Sequence, residues 1–194
     1  MPEKTRLIIL DRDGVINQDS DAFIKTPAEW IALPGSLEAI ARLNQAGYRV
    51  VVATNQSGIS RGLLDMQCLN AIHQKMHNAA QAMGADIDAV FFCPHAGEEN
   101  CDCRKPKPGM MHAIAARFDV RLKGVPIVGD SLRDLQAGFV VGCLPYLVLT
   151  GKGEKTLARE GLPPGTQIFA NLAEVVEHLL AEPANSEAQA AATA

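Results

Sequence analysis

Two aspartates, Asp11 and Asp13, directly follow the short run of branched apolar residues Leu7–Leu10. A run of this length and composition is typical of a buried central strand. The carboxylates would then lie at the carboxyl end of that strand, where open α/β sheets bind their ligands. One could attack an electrophile while the other transfers a proton. A solvated turn that contains two acids is the simpler alternative, and three further stretches argue against it.

Groups that suit a phosphate follow a second apolar run. Arg49–Ala53 is followed by Thr54, Asn55, Gln56 and Ser57. The hydroxyls and backbone N–H groups of such a segment can hold phosphate oxygens without adding charge. Because polar loops are common, this stretch alone does not distinguish a phosphate-binding loop from an ordinary polar loop.

Charged residues follow two more predicted strands. Lys105 lies between Arg104 and Pro106 in a loop that its prolines make rigid, and lysine suits a phosphoryl group as a point charge. Asp130 follows the fourth apolar run, and Asp134 lies one helical turn beyond it. Clustered carboxylates repel one another unless a cation neutralises them, and hard oxygen ligands favour Mg²⁺. A basic surface turn at Lys105 and a helix N-terminal acid at Asp134 are the alternatives.

A separate cluster of thiols lies in the loop after the third apolar run. Cys93, His95, Cys101 and Cys103 lie close together in the sequence, and three thiolates with one imidazole suit tetrahedral Zn²⁺. Because four protein ligands fill that coordination shell, the predicted zinc is structural. Three unrelated cysteines near a histidine are the alternative. The loop leads directly into Arg104, so zinc would order the residues that face the phosphate.

Composition limits the class of protein. The chain has 194 residues, is 47% hydrophobic and 21% charged, and carries a formal net charge of −4. These values are typical of globular proteins and argue against nucleic acid or an acidic membrane as a partner. No apolar run approaches the roughly 20 residues that span a bilayer, and the first strand begins too early for a signal peptide. We therefore expect a cytoplasmic protein with cysteines that are reduced or metal-bound.

Alternating strand and helix patterns must position these groups. The alternation predicts an α/β fold, with a mostly parallel sheet and helices on both of its faces. We expect one domain over residues 1–182 and a disordered tail over 183–194. The predicted strands are Leu7–Leu10, Arg49–Ala53, Ala89–Phe92, Pro126–Val128, Pro145–Leu149 and Gln167–Phe169, and the predicted helices are Ser36–Ala46, Asp65–Met83, Pro108–Phe118, Arg133–Val140 and Leu172–Leu180.

Three long segments interrupt the alternation and are predicted to be loops. They are Gly14–Pro34, Cys93–Lys107 and Gly151–Gly165. Long loops in a compact domain are usually functional. The first two leave the carboxyl ends of their strands, so they should overhang the site.

Taken together, these stretches resemble the four motifs of the haloacid dehalogenase superfamily. The motifs are Asp11-x-Asp13-Gly-Val, Ala53-Thr54-Asn55, a loop lysine and Gly129-Asp130-Ser131-x-x-Asp134, in that family's order. The resemblance implies a Rossmann-like fold and Mg²⁺-dependent phosphoryl transfer.

The same resemblance implies a role for each motif residue. Asp11 is the nucleophile and forms an aspartyl-phosphate, while Asp13 protonates the leaving oxygen and then deprotonates the attacking water. Mg²⁺ is held by Asp11, the backbone carbonyl of Asp13, and Asp130. Thr54 and Lys105 hold the transferring phosphoryl group. The acid at position 13 favours a phosphatase or phosphomutase over a dehalogenase, because a halide leaves without a proton.

The zinc loop narrows the resemblance to a subgroup of sugar-bisphosphate and histidinol-phosphate phosphatases. About forty residues separate Asp13 from Thr54, so the fold is expected to be capless, with an open site and a zinc-binding loop. The resemblance implies a small phosphosugar substrate and a monomer. A catalytically inactive phosphosugar-binding protein is the non-enzyme alternative. The implied substrate contacts are Asp19, Ser20, Asp21, Ala22, Thr54, Asn55, Gln56, Ser57, Arg104, Lys105 and Ser131.

Two features of the chain bear on that substrate. A bisphosphate requires positive charge away from the reacting phosphate, for which Arg61, Arg104, Lys107 and Arg133 are candidates. Family members often have lysine where this chain has Ser131, and the serine puts substrate contacts at that position in doubt.

Overall fold

A single six-stranded parallel sheet forms the centre of the protein, in the order β3-β2-β1-β4-β5-β6. The computed structural model describes residues 6–181, so the tail predicted to be disordered lies outside the described residues. The strands are β1 Arg6–Leu10, β2 Tyr48–Asn55, β3 Ala89–Cys93, β4 Pro126–Gly129, β5 Leu144–Val148 and β6 Gln167–Phe169. The predicted parallel α/β fold is confirmed, and the strand bounds differ from expectation by one or two residues.

Within residues 6–181, five α-helices connect the strands and a sixth follows β6. They are α1 Ser36–Gln45, α2 Met66–Ala82, α3 Gly109–Phe118, α4 Leu132–Phe139, α5 Gly153–Leu157 and α6 Leu172–Ala181, with 3₁₀ turns at Pro27–Glu29 and Gly97–Glu99. Helix α5 was not predicted, because Gly151–Gly165 was assigned as a loop. This five-residue helix starts at a glycine whose added Cβ would overlap the carbonyl of Val148, so tight packing rather than helix propensity accounts for it.

The helices cover both faces of the sheet, as the period-2 alternation of β1 requires. Ile8 and Leu10 face a core with α1, α2 and α6. Leu7 and Ile9 face a second core that includes α3 and part of α4. The four side chains are at most 3% exposed, so β1 is buried on both sides and provides a rigid base for the residues that follow it.

The segment between β1 and α1 contains one 3₁₀ turn and no cap domain. The N-cap residue of α1 is Gly35, with φ 76°. The Ser36 hydroxyl lies 2.7 Å from the carbonyl of Ile16, with Leu33 O at 2.8 Å. Lys75 of α2 donates to the carbonyls of Pro27 and Trp30, at 2.6 and 2.7 Å. These contacts anchor the long loop against the domain.

Within residues 6–181, every helix is too short or too polar to cross a bilayer.

Candidate active site

The carboxyl ends of β1, β2 and β4 meet around a cavity of about 270 Å³. The chain reverses its strand order beside β1, which is where open α/β sheets bind ligands. All the predicted catalytic residues line this cavity, as do all the predicted substrate-binding residues except two. Ala22 lines a neighbouring cavity instead, and Ser131 lines neither one.

Asp11 lies directly after β1, where its backbone N–H donates to Val128 of β4 at 2.9 Å. Its Oδ1 accepts the backbone N–H of Arg12 at 2.8 Å and lies 2.9 Å from the Lys105 ammonium. Burial raises the pKa of Asp11 to about 7, and the carboxylates of Asp134 and Asp13 add to the rise while Lys105 opposes it. The proposed nucleophile therefore needs further positive charge to stay ionised at neutral pH.

Lys105 neutralises part of this negative charge from a buried position. Its ammonium lies 2.7 Å from Asp134 Oδ1 and 2.6 Å from the Ala53 carbonyl. Burial lowers the pKa of Lys105, but the carboxylates of Asp11 and Asp134 outweigh burial and raise the pKa above its usual value. Asn55 exchanges two hydrogen bonds of 3.1 Å with the Lys105 backbone. The Asn55 amide therefore positions Lys105.

Asp13 is surrounded by hydrogen-bond donors. Arg12 makes contacts of 2.9–3.0 Å with both carboxylate oxygens, Asn17 donates to Oδ1 at 2.8 Å, and Gln56 donates to Oδ2 at 3.1 Å. Gln56 also donates to Thr54 Oγ1 at 2.9 Å. The Thr54 hydroxyl therefore accepts on one side, which leaves its own proton available for a phosphate oxygen.

Arg12 was not predicted to belong to the site, and it is fully buried behind Asp13. Its Nη1 lies 3.3 Å from Nε2 of His73 in α2. Because arginine is only a donor, this ring nitrogen must be the unprotonated one. Burial and the Arg12 charge lower the pKa of His73 to about 4, so the histidine accepts as a neutral ring.

Three carboxylates, those of Asp11, Asp130 and Asp134, have oxygens within 4.8 Å of one another. Burial raises the pKa of Asp130 to about 8, with repulsion from Asp134 and Asp11 adding to it and a hydrogen bond from the Lys152 backbone opposing it. Lys105 supplies one positive charge against these three carboxylates. A hard divalent cation such as Mg²⁺ fits this excess of negative oxygen.

Asp134 caps the N-terminus of helix α4 and also contacts Lys105. Its Oδ2 accepts the Ser131 backbone N–H at 3.0 Å and the Ser131 hydroxyl at 2.5 Å, which forms a capping box. Protein groups therefore contact both oxygens of Asp134, which supports its role as a helix N-terminal acid. The Ser131 hydroxyl also accepts from Arg133 at 3.3 Å.

A segment missed by the sequence analysis closes the other side of the carboxylate cluster. Thr150 donates to the Gly14 carbonyl at 2.6 Å, and the Lys152 backbone donates to Asp130 Oδ2 at 2.7 Å. Gly14 and Gly151 have positive φ, and a Cβ at either position would overlap the Asp130 carboxylate. The available signal was the Gly- and Lys-rich composition of Gly151–Gly165, which was noted without assigning residues to the site.

The predicted zinc ligands are brought together beside this cavity. The donor atoms of Cys93, His95, Cys101 and Cys103 lie within 4.8 Å of one another, and the sulfur–sulfur distances are 3.1–3.5 Å. A zinc tetrahedron with Zn–S bonds of about 2.3 Å has sulfur–sulfur edges of roughly 3.8 Å. The described cysteines form no disulfides. Both the donor chemistry and the spacing fit a zinc ion.

The zinc loop contacts the residues that surround the cavity. Arg104 donates to the backbone carbonyl of His95 at 3.1 Å, so its guanidinium is directly linked to a predicted zinc ligand. Glu99 accepts from the hydroxyl of Ser60 and from the backbone of Ala96. Order in the zinc loop therefore extends to Arg104, which lines the cavity.

Comparison with known proteins identifies the family. Residues 6–133 match a polynucleotide kinase 3 phosphatase family model, and residues 102–175 match a HAD-hydrolase-like model. A D-glycero-β-D-manno-heptose-1,7-bisphosphate 7-phosphatase from Bordetella bronchiseptica is 64% identical over 177 residues, which cover 91% of this chain and 99% of that protein. The chain belongs to this heptose-bisphosphate phosphatase family. It is a phosphoric monoester hydrolase of the haloacid dehalogenase superfamily, as the motifs predicted.

Further members of the heptose-bisphosphate phosphatase family agree over nearly the whole chain. The Neisseria meningitidis serogroup A enzyme is 52% identical, covering 94% of this chain and 99% of its own length. A B. bronchiseptica crystal structure with magnesium and phosphate superposes with a TM-score of 0.91 at 64% identity, covering 92% of this chain and all of that one. The Burkholderia thailandensis enzyme superposes with a TM-score of 0.75 at 56% identity, with the same coverage.

Proposed function

We propose that this protein removes the C7 phosphate of D-glycero-β-D-manno-heptose 1,7-bisphosphate through an aspartyl-phosphate intermediate. The observation that carries the proposal is the Asp11 carboxylate, held by Lys105 and the Arg12 backbone in a buried cluster with Asp130. The named activity of relatives up to 64% identical, over nearly their full length, supports the substrate and the β anomer. We further propose that the enzyme is a cytoplasmic monomer that supplies heptose for bacterial lipopolysaccharide core.

The charge balance of the site supports a Mg²⁺-dependent reaction. Asp11, the backbone carbonyl of Asp13, and Asp130 would hold the ion. When bound, it would neutralise carboxylate charge and polarise the phosphoryl oxygens. A magnesium ion and a phosphate are present in the crystal structure of the B. bronchiseptica relative, which supports a magnesium-dependent reaction at a phosphate group.

The first half-reaction transfers the phosphoryl group to Asp11. A carboxylate oxygen of Asp11 bonds to phosphorus while the bond from phosphorus to the C7 oxygen breaks. Asp13 gives a proton to the departing oxygen. The Lys105 ammonium and the Thr54 hydroxyl hold the phosphoryl oxygens, where charge redistributes in the transition state.

The second half-reaction hydrolyses the aspartyl-phosphate. Asp13 takes a proton from the attacking water, the new oxygen–phosphorus bond forms, and the bond between Asp11 and phosphorus breaks. Every contact made with Asp13 by Arg12, Asn17 and Gln56 comes from a donor. Such donors would stabilise the carboxylate form of Asp13, which is the form that accepts a proton from water.

The arginines that line the cavity support a bisphosphate as the substrate. Arg61, Arg104 and Arg133 line the cavity, and Lys107 does not. Three guanidinium groups can bind a second phosphate while the first one reacts. Asp19–Asp21 also line the cavity, where their polar groups can contact sugar hydroxyls.

The test is phosphate release by the zinc-loaded protein with Mg²⁺, comparing the two anomers of heptose 1,7-bisphosphate with histidinol phosphate. We expect the β-heptose substrate to have the highest kcat/KM. Asp11→Asn should abolish phosphate release, whereas Asp86→Asn, at an exposed position that does not line the cavity, should not. A preference for histidinol phosphate would refute the substrate while keeping the mechanism. No release from any of these esters would support the inactive phosphosugar-binding alternative.

A further inference from the structure

The side chain of Lys152 connects the substrate loop with the metal-binding cluster. Its ammonium lies 2.8 Å from Asp19 Oδ2 and 3.4 Å from Asp21 Oδ1. Its backbone N–H donates to Asp130 Oδ2 at 2.7 Å. One residue thus contacts the carboxylate proposed to hold Mg²⁺ and two carboxylates proposed to contact the sugar.

Asp19 depends on this lysine for its position. Among the ion pairs and hydrogen bonds of residues 6–181, the Asp19 carboxylate pairs with Lys152 alone. The Asp19 side chain is 18% exposed and that of Lys152 is 35% exposed, so both groups are partly shielded from water. Asp21, at 85% exposure, has a looser contact. The ordered part of the pair is therefore the Lys152–Asp19 contact.

We propose that Lys152 is a positioning residue that holds Asp19 for a hydroxyl group of the bound sugar and so contributes to substrate specificity. The proposal rests on the heptose bisphosphatase function proposed above. A carboxylate held in place accepts a hydroxyl proton without first losing its own conformational freedom. A free Asp19 would have to be ordered by the substrate, at a cost in affinity.

The charge of the cavity is a second reason to expect that Lys152 affects substrate binding. Six aspartates line the cavity against five basic side chains, and a bisphosphate adds further negative charge. The single positive charge of Lys152 offsets part of the negative charge of the two aspartates in the substrate loop. Without it, Asp19 and Asp21 would repel the incoming substrate, so affinity for an ester with two phosphates should fall more than affinity for an ester with one.

The lysine remains charged in this position. Burial lowers the pKa of Lys152, but its contacts with Asp19 and Asp21 outweigh burial and raise the pKa above its usual value. The ammonium has three donors, and the two aspartates occupy two of them.

The experiment compares two esters in the full-length, zinc-loaded protein with Mg²⁺. Heptose 1,7-bisphosphate has hydroxyl groups and a second phosphate, whereas p-nitrophenyl phosphate has neither. Lys152→Met should lower the ratio of their kcat/KM values about tenfold, mainly through a higher KM for the heptose substrate. Each variant retains the backbone N–H that contacts Asp130. Lys152→Arg should restore most of the ratio, and Lys155→Met, exposed in α5, is the matched control.

A double variant tests the contact itself. If Lys152 acts through Asp19, the effects of Lys152→Met and Asp19→Asn on KM should be strongly non-additive. Equal losses for both esters, an unchanged ratio, or additive effects would each overturn the proposal. The wild-type protein is assayed first. If it hydrolyses p-nitrophenyl phosphate but not heptose bisphosphate, the proposed function is refuted before any variant is compared.

Discussion

Asp11→Asn should make the Mg²⁺-free protein more stable at neutral and higher pH, although it removes the proposed nucleophile. The pKa of Asp11 is raised from 3.8 to about 7 in the folded state. Between these values the folded state binds more protons than the unfolded state, so the free energy of unfolding falls as pH rises. Asparagine has no charge to bury, and it removes this loss.

The hydrogen bonds of Asp11 survive the substitution. Both the Arg12 backbone N–H and the Lys105 ammonium contact Oδ1, and an asparagine amide retains that oxygen as an acceptor. A rise in pKa from 3.8 to about 7 corresponds to roughly 4 kcal/mol of unfolding free energy above that pH. The Asp130 and Asp134 carboxylates share the same repulsion, so the expected gain is smaller, about 1–3 kcal/mol.

The assay is urea-induced unfolding between about pH 6.5 and 8.5, in protein dialysed free of Mg²⁺ without a chelator that would also remove zinc. Burial lowers the pKa of His73 to about 4. The stability that His73 contributes is lost as pH falls from its unfolded value towards about 4, which lies below the assay window. Stability of the wild type should fall with rising pH until the pH passes the folded-state pKa values of Asp11, about 7, and Asp130, about 8, and it should level off above them.

Asp86→Asn changes the net charge equally at an exposed position and should leave stability nearly unchanged. Added Mg²⁺ should stabilise the wild type through binding to the folded state and should reduce or reverse the advantage of Asp11→Asn. The reasoning is refuted if Asp11→Asn is no more stable than the wild type without Mg²⁺. It is also refuted if Mg²⁺ leaves the difference unchanged.

Three further substitutions test the metal sites and the buried lysine. Cys101→Ser should abolish zinc binding, as measured by metal analysis. It should also raise KM for the bisphosphate more than it lowers kcat, because Arg104 is hydrogen-bonded to the zinc loop. Wild-type protein that contains no zinc would contradict this prediction. Gly151→Ala should weaken activation by Mg²⁺ at least tenfold in a titration, because its Cβ would overlap the Asp130 carboxylate. Its control is Gly161→Ala, at a glycine that also has a positive φ but faces open space, and equal effects would exclude the steric explanation. Lys105→Met should lower kcat by about 10²–10³, and an activity near that of Lys155→Met would show that Lys105 does not bind the phosphoryl group.

The parts of the site that follow strands could be predicted from the sequence. Leu7–Leu10 and Pro126–Val128 are short apolar runs, so the acidic residues behind them had to meet at one edge of a parallel sheet. The zinc ligands could also be predicted from the sequence, because thiols and an imidazole clustered in a loop have few other structural roles. In both cases the pattern is local, and its consequence in three dimensions follows from a general rule.

Contacts between distant segments could not be predicted in the same way. Lys152 meets Asp19 across more than a hundred residues of chain, and no periodicity encodes that pairing. Arg12 lies between the two motif aspartates, but its burial against His73 depends on how α2 packs. For Ser131 a local signal did exist: Ser131 and Asp134 have the spacing of a capping box, which accounts for the hydroxyl without a substrate.

The rigidity of β1 and β4 explains why the carboxylate cluster can favour a cation. The strands are hydrogen-bonded neighbours, with Ile9 opposite Ile127 and Leu10 opposite Val128. These residues are at most 2% exposed, so Asp11 and Asp130 cannot move apart without disrupting the core. Repulsion that a flexible loop would relieve is retained until a cation binds. The stability gained by Asp11→Asn without Mg²⁺ and the Mg²⁺ affinity that it loses therefore have the same origin, and a variant that changed one without the other would separate them.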